Sequence, residues 1–205
     1  MFTPPPPLLS AQNLQSRHVG PVSIDIAAGE CIAIVGDSGS GKSVFLRMLA
    51  DLDAGTGAVF LDGVARDTMT APAWRAQVVY QAAELAWWDT TAEAHISASQ
   101  HAFAAGLLPV LGLKPGALQA DLAVLSTGER QRLGLIRSLA VTPKVLLLDE
   151  PTASLDQATT LAVEAVLRDC LAKGLAIVIV THSQEQAARL AGRSFRMANS
   201  QLVAA

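Results

Sequence analysis

The chain has no excess of positive charge: 15 Lys and Arg stand against 18 Asp and Glu in 205 residues. Nonspecific nucleic-acid binding needs a basic surface, so this balance gives that class no support. Charge of either sign is scarce at 16%, while 51% of the residues are hydrophobic. That surplus contains no membrane-length run. The longest nearly apolar stretch, Ala102–Leu113, is broken by Gly106, Pro109 and Gly112, and a helix needs about 20 apolar residues to cross a bilayer. Cysteine is nearly absent. Cys31 and Cys170 lie far apart in apolar segments, which predicts two buried thiols in a reducing compartment, and no metal-ligand spacing is present. Residues 1–7, with prolines at 4 to 7, lack the basic and apolar regions of a signal peptide and read as a short flexible tail. There is no internal repeat and no long linker. The expectation is a single cytoplasmic domain with a sizeable core, spanning residues 1–205 and offering an apolar patch to a partner.

What is present is an alternation of short apolar strands with helical periods. Val22–Ile26 alternates apolar and polar residues, as a half-buried strand does, and Cys31–Val35 reads as a buried strand. Lys42–Leu52 carries helical spacing, Ala58–Leu61 a strand before the tight turn Asp62-Gly63, and Gln77–Tyr80 another strand. Between Thr91 and Leu125 Ala and Gly become frequent, and Pro109 and Pro115 cut the pattern into short pieces. A helical subdomain inserted at about 91–141 is predicted there. Ser126–Val141 reads as a helix stopped before Pro143, and Thr159–Lys173 as one closed by Gly174. Val145–Leu148 and Leu175–Val180 are fully apolar strands, Gln184–Leu190 is helical, and Ser194–Met197 with Gln201–Val203 suggests a final hairpin. Strands buried on both faces and separated by helices imply an α/β fold with a mostly parallel sheet. Ligands of such sheets bind beyond the carboxyl ends of the strands.

Three polar clusters fall at such ends: the loop after Val35, Asp149-Glu150, and His182 after the strand ending at Val180. Gly36-Asp37-Ser38-Gly39-Ser40-Gly41-Lys42-Ser43 follows the strand ending at Val35, and Val44 continues into a helix. This is the phosphate-cradling pattern G-x-x-x-x-G-K-[ST]. Its glycines let backbone N–H groups point inward at a phosphate, the helix start adds a positive end, Lys42 reaches the β- and γ-phosphates, and the Ser43 hydroxyl ligates Mg²⁺. Asp149-Glu150 ends a buried strand. The first carboxylate can hold Mg²⁺ and the second can orient or deprotonate a water, against the blander reading of a capped turn and a solvated Glu150. Ser126-Thr127-Gly128-Glu129 opens a helix as a capping box, with Gly128 permitting close approach to an anion-binding helix start. A merely well-capped helix would leave the Ser-Thr-Gly start and the following Arg-Gln-Arg as coincidences.

Leu125–Glu129 resembles the signature motif of the ATP-binding cassette (ABC) ATPases, usually Leu-Ser-Gly-Gly-Gln, and the family's other elements follow in order. Gly36–Ser43 resembles its Walker A loop, Gln81 its Q-loop glutamine, and Leu146–Glu150 its Walker B strand with the catalytic glutamate. Ser154-Leu155-Asp156 resembles the D-loop and His182 the switch histidine. The match spans about residues 8–203. It implies a P-loop NTPase fold: a mostly parallel core sheet, an N-terminal antiparallel β subdomain and a small inserted α-helical subdomain. It also implies an ATPase that binds ATP with Mg²⁺, the metal held by Ser43, Gln81 and Asp149. Two copies would pair head to tail. Each ATP would lie between Gly36–Val44 of one copy and Ser126, Thr127, Gly128 and Glu129 of the other. Glu150 would polarise the attacking water, His182 would hold water and γ-phosphate, Gln81 would sense both metal and phosphate, and Asp156 would tie the two sites together. A separate membrane permease would be driven, placing the protein on the inner face of the membrane.

The chain departs from the family pattern in places. Thr127 replaces a glycine, Glu129 replaces glutamine, and Ser16, Arg17 and His18 stand where an adenine-stacking aromatic is expected. Arg17 or His18 could stack instead. Trp87 and Trp88 either pack the small subdomain or form an exposed aromatic surface beside the groove that receives the permease's coupling helix in this family. Trp74 and Tyr80 read as core residues, and His95 and His101 receive no function. The short subdomain and Trp74–Gln81 look like small bacterial ATPases paired with a permease of iron or other metal export type. A cassette acting on nucleic acid would carry long insertions or a second cassette, which do not fit in 205 residues. A P-loop kinase would leave the Ser126 helix start and His182 unexplained.

Overall fold

A computed structural model describes residues 6–204, so most of the predicted flexible tail lies outside the described residues. Among the described residues, ten strands and six α-helices follow one another, and the strands form two sheets. The larger, six-stranded sheet has the order β10-β9-β3-β8-β7-β6. Its strands are β3 (Cys31–Val35), β6 (Val78–Gln81), β7 (Val145–Asp149), β8 (Ala176–Val180), β9 (Arg193–Ala198) and β10 (Gln201–Ala204). All neighbours pair parallel except β9 and β10, which form the expected hairpin. The apolar runs explain the burial: every residue of β7 and β8 is buried. Ile32, Ile34, Leu147 and Val178 project to one face against Phe45, Leu46 and Leu49 of α1 (Lys42–Leu49). Ala33, Leu146, Leu148 and Ile177 project to the other, where the helices α3 (His101–Val110), α4 (Thr127–Ala140) and α5 (Gln157–Ala172) pack. This is the α/β, mostly parallel core that the patterning predicts.

The second sheet is antiparallel and runs β2-β1-β4-β5. Strands β2 (Val22–Ile26), β4 (Thr56–Leu61) and β5 (Val64–Ala65) join β1 (Leu9–Gln15), which the sequence pattern did not reveal. The reason is local. Asn13 takes a left-handed backbone, φ 48°, and the pairing register shifts between Ala11 and Leu14. That bulge breaks the period-two alternation by which strands are recognised.

Other boundaries moved for similar local reasons. Helix α1 stops at Leu49 rather than Leu52, because Asp51 enters the left-handed region at φ 59°. Strand β6 includes Gln81, one residue beyond the expected end. Pro109 sits in the last turn of α3 instead of cutting it. The Asp156 side chain accepts from Thr159 N at 2.8 Å and starts α5 two residues early. An unexpected short helix, α2 (Ala71–Arg75), has Pro72 in its first turn and completely buries Trp74. The last helix, α6 (Gln184–Leu190), lies as expected. Cys31 is buried and Cys170 half-buried, both free thiols, and burial pushes the Cys31 thiol up to about 12. Among the described residues, no helix is long and apolar enough to cross a membrane.

Candidate functional site

Strands β3, β8 and β7 are adjacent and parallel, with Ile34 opposite Val180 and Val180 opposite Asp149. Their carboxyl ends therefore deliver the loop from Gly36, His182, and Asp149-Glu150 side by side. The phosphate loop is held by its own geometry. Gly41 has φ 105°, and a Cβ there would lie 2.7 Å from Val19 Cγ2, so only glycine fits. Lys42 is 6% exposed, and its ammonium donates to the Gly36 and Asp37 carbonyls at 2.8 and 2.7 Å. Two of its three donors brace the loop, and a third remains that could meet an anion. The Ser40 hydroxyl is buried without a partner. A groove of about 380 Å³ is lined by Ser38, Gly39, Gly41, Lys42, Ser43 and Val44, and by Glu150 opposite them. Arg17, His18 and Ser200 line it as well, and Arg17 Nε donates to His18 Nε2 at 2.8 Å.

Asp149 is 4% exposed, and its Oδ2 accepts from the Tyr80 hydroxyl at 3.0 Å. Burial, then the Asp149 charge, pushes the Tyr80 phenol above its ordinary value, so it remains a donor. Tyr80 was expected simply in the core. It is half-buried and belongs to the site. Next to it, Gln81 is 2% exposed, and neither its amide oxygen nor its nitrogen has a partner. An orphaned buried amide is costly unless a ligand satisfies it. The Ser43 hydroxyl, Gln81 amide oxygen and Asp149 carboxylate are oxygen donors of the kind that Mg²⁺ takes. Among the described residues, no group of three or more His, Cys, Asp and Glu could hold a metal. A hard cation that is completed by substrate phosphates and water needs no such cage.

Glu150 departs from the strand with φ 50°, uncommon for a side chain this size. The backbone is pinned on both sides: its N–H donates to Val180 O at 3.0 Å, and its carbonyl accepts from Gln131 Nε2 at 2.8 Å. The carboxylate Oε1 lies 2.8 Å from His182 Nε2, with the histidine side chain 54% exposed. Gln131 sits on α4, and its role is not evident from a spacing motif; its place inside Arg130-Gln131-Arg132 was the only signal. The flanking arginines turn back to the protein, Arg130 to Leu125 O at 2.7 Å and Arg132 to Leu111 O at 2.9 Å.

The capping box at the start of α4 is complete. The Ser126 N–H and hydroxyl donate to Glu129 Oε2 at 2.9 and 2.7 Å, and Glu129 N–H donates to Ser126 Oγ at 3.3 Å. These donors hold the Glu129 carboxyl below the usual range. Gly128 faces Leu155 and Ser154, a Cβ falling 3.1 Å from Leu155 Cδ2. Ser126, Thr127, Gly128 and Glu129 do not line the phosphate-loop groove. Thr127 instead borders a separate cleft with Glu84, Leu85, Trp87 and Gln131.

The two neighbouring tryptophans divide the alternatives left open for them. Trp87 is half-buried beneath the Arg137 guanidinium, 4.3 Å from the ring centroid, whereas Trp88 is 76% exposed. His95 packs edge-on against both rings and accepts from Trp88 N–H at 3.0 Å. His101 bonds only to Ile96 O at 3.0 Å and lies 3.9 Å from Glu93.

Residues 19–153 match the sequence model of the ABC transporter family. The Fe(3+) ions import ATP-binding protein FbpC of Streptomyces coelicolor is 36% identical over 208 residues, covering 92% of this chain. The chain spans only 59% of the length of that relative. The lipoprotein-releasing system ATP-binding protein LolD of Nitratidesulfovibrio vulgaris is 35% identical over 232 residues, covering 98% of this chain and 97% of LolD. In fold, the chain is similar to the dimeric structure of MJ0796, a bacterial ABC transporter cassette, with a TM-score of 0.82 at 23% identity over 95% of this chain and 96% of that one. With a family match over most of its length and relatives above a third identical, the chain belongs to the ABC transporter family.

Proposed function

We propose that the chain is the ATP-binding and ATP-hydrolysing subunit of a transporter, working as a head-to-tail pair of copies on a separate permease. The observation that carries this is the meeting of Lys42, Asp149, Glu150 and His182 at one sheet edge, with Glu150 Oε1 2.8 Å from His182 Nε2. In this reading the loop Gly36–Ser43 and the start of α1 bind the phosphates through backbone N–H groups, and Lys42 neutralises β- and γ-phosphate charge. Ser43, Asp149 and Gln81 would hold Mg²⁺, which would supply charge neutralisation to the phosphates. Glu150 orients the attacking water and accepts its proton, and His182 fixes that carboxylate and faces the γ-phosphate.

The pairing rests on position. The anion-binding start of α4 does not line its own chain's groove, so Ser126, Thr127, Gly128 and Glu129 serve an ATP held by a second copy. Asp156, capping α5 beside them, links the two sites. The solved MJ0796 cassette is dimeric, which supports the arrangement. A nucleotide would place its base over Arg17 and His18. The exposed Trp88 marks the face turned to the permease, which would hold the subunit at the cytoplasmic side of the membrane. The relatives' names carry different cargoes, ferric ions for one and lipoproteins for the other; the shared property is the cassette.

Glu150→Gln tests the reading. It should keep ATP affinity within about twofold, lower turnover about 100-fold or more, and accumulate an ATP-dependent dimer in size-exclusion chromatography. Unimpaired hydrolysis would remove Glu150 from its assigned place.

A further inference from the structure

A polar chain with no part in phosphate binding runs just behind the Glu150–His182 pair. Thr152 lies two residues after Glu150 and Gln186 four residues after His182. The Gln186 side chain is 1% exposed. Its amide faces the Thr152 hydroxyl, with Nε2 at 2.9 Å and Oε1 at 3.3 Å. The same Nε2 lies 3.5 Å from Oε1 of Glu164 on α5. The Glu164 side chain is completely buried and is gripped by Arg189 of α6 through a two-pronged contact, 2.7 Å on each oxygen. Arg168 approaches the same carboxylate at 3.7 Å. Ser183, next to His182, caps α6 by accepting from Gln186 N–H at 3.1 Å.

A buried carboxylate is tolerated only with a partner of good geometry, and a bidentate guanidinium gives a directional one. Glu164 and Arg189 thereby lock α5 to α6. Gln186, standing on that lock, reaches the turn that carries Glu150. The groups at the two ends of this chain, Thr152 and Ser183, each flank a member of the reacting pair. The 2.8 Å separation of Glu150 and His182 spans two different loops, whose backbones meet at Glu150 N–H to Val180 O, at the end of the β7–β8 ladder.

We propose that Gln186 is a positioning residue, which through Thr152 on one side and Glu164 on the other holds the Glu150 turn in register with the His182 loop. This rests on the reading of Glu150 as the group that activates water. Gln186 does not line the groove of the Gly36–Ser43 loop. Its contribution is to fix where the carboxylate sits, and a misplacement of about 1 Å can cost up to 100-fold in rate.

The test uses the whole chain and four variants: Thr152→Val, Gln186→Met, the two combined, and Thr152→Ser. Thr152→Val and Gln186→Met should each lower kcat about tenfold, with KM for ATP and the Kd of a fluorescent ATP analogue unchanged within about twofold. The double variant should be no slower than the worse single one, since both break one link. Thr152→Ser, which keeps the hydroxyl, should turn over at nearly the wild-type rate. The idea is overturned by wild-type kcat in both single variants, by losses that multiply in the double variant, or by equal damage from Ser and Val at 152. If Gln186→Met does not fold, the half-buried Thr152 pair of variants decides alone. Glu150→Gln, assayed alongside, separates the two readings: its failure to lower turnover would refute the role of Glu150, whereas normal kcat in both single variants with inactive Glu150→Gln would refute only the positioning role.

Discussion

The hydroxyl of Tyr80 donates to Oδ2 of Asp149 at 3.0 Å across two adjacent strands of the core sheet. Tyr80 is the only tyrosine in the chain, so its ionisation can be followed without interference. A free phenol titrates near ~10. Burial and the neighbouring carboxylate both disfavour the phenolate, which moves the Tyr80 value upward. The expected ultraviolet titration is flat through pH 10 and rises only as the protein unfolds in alkali. A reversible midpoint at the free-tyrosine value would contradict the contact with Asp149.

The Glu129 carboxyl is held below its usual range by the Ser126 hydroxyl, and then by the Ser126 N–H. A depressed folded value means that the stabilising contribution is full above the unfolded value of about 4.3. It is lost as pH falls through the folded value. Wild type should therefore melt above Glu129→Gln at pH 7, and the gap should close on acidification from about pH 5 to pH 3. A gap that is constant with pH would show that the charge of Glu129 does not contribute to the cap.

Trp74 is wholly buried, and its Nε1 donates to the Leu49 carbonyl at the end of α1 at 2.9 Å. Trp74→Ala removes the largest buried side chain between α1 and α2 and should cost about 3–5 kcal/mol. Trp74→Phe keeps much of the volume but leaves the Leu49 carbonyl without that donor, at about 1–3 kcal/mol. Urea unfolding measures both, and wild-type stability in Trp74→Phe would mean that the hydrogen bond is inconsequential.

Ser126→Arg should stop hydrolysis while leaving nucleotide affinity unchanged, because Ser126 does not line its own chain's groove. Lys42→Ala should fail at binding instead. Mixing the two inactive proteins joins an intact loop to an intact helix start in one of the two composite sites, and part of the turnover should return. If no mixture recovers activity, the helix start does not act on a second copy's nucleotide.

The parts of the molecule that were legible in the sequence are those whose cause is local. The glycine spacing before Lys42, the Ser126–Glu129 box and the all-apolar β7 and β8 each declare themselves within eight residues. Strand β1 did not, because Gln12, Asn13 and the bulge there interrupt its alternation. The long-range relations were hidden. Tyr80 and Asp149 are 69 positions apart, and Gln131 and Glu150 are 19 apart. Only the parallel pairing of β6 with β7 and the packing of α4 bring them together. Trp87 and Trp88, identical in the sequence, part ways because Arg137 on α4 covers one ring at 4.3 Å and lies 5.6 Å from the other.

The bond from Gln131 to the Glu150 carbonyl, 2.8 Å long, gives one helix two responsibilities. Helix α4 presents Ser126 outward at its first turn and grips the peptide of Glu150 one turn later. A hydrogen bond of this kind does not survive stretching by about 1 Å. When the outer end of α4 is pulled toward a neighbour, the peptide under Glu150 must follow or let go. In the proposed pair, engagement of this helix from outside would reach the Glu150 peptide through the Gln131 amide.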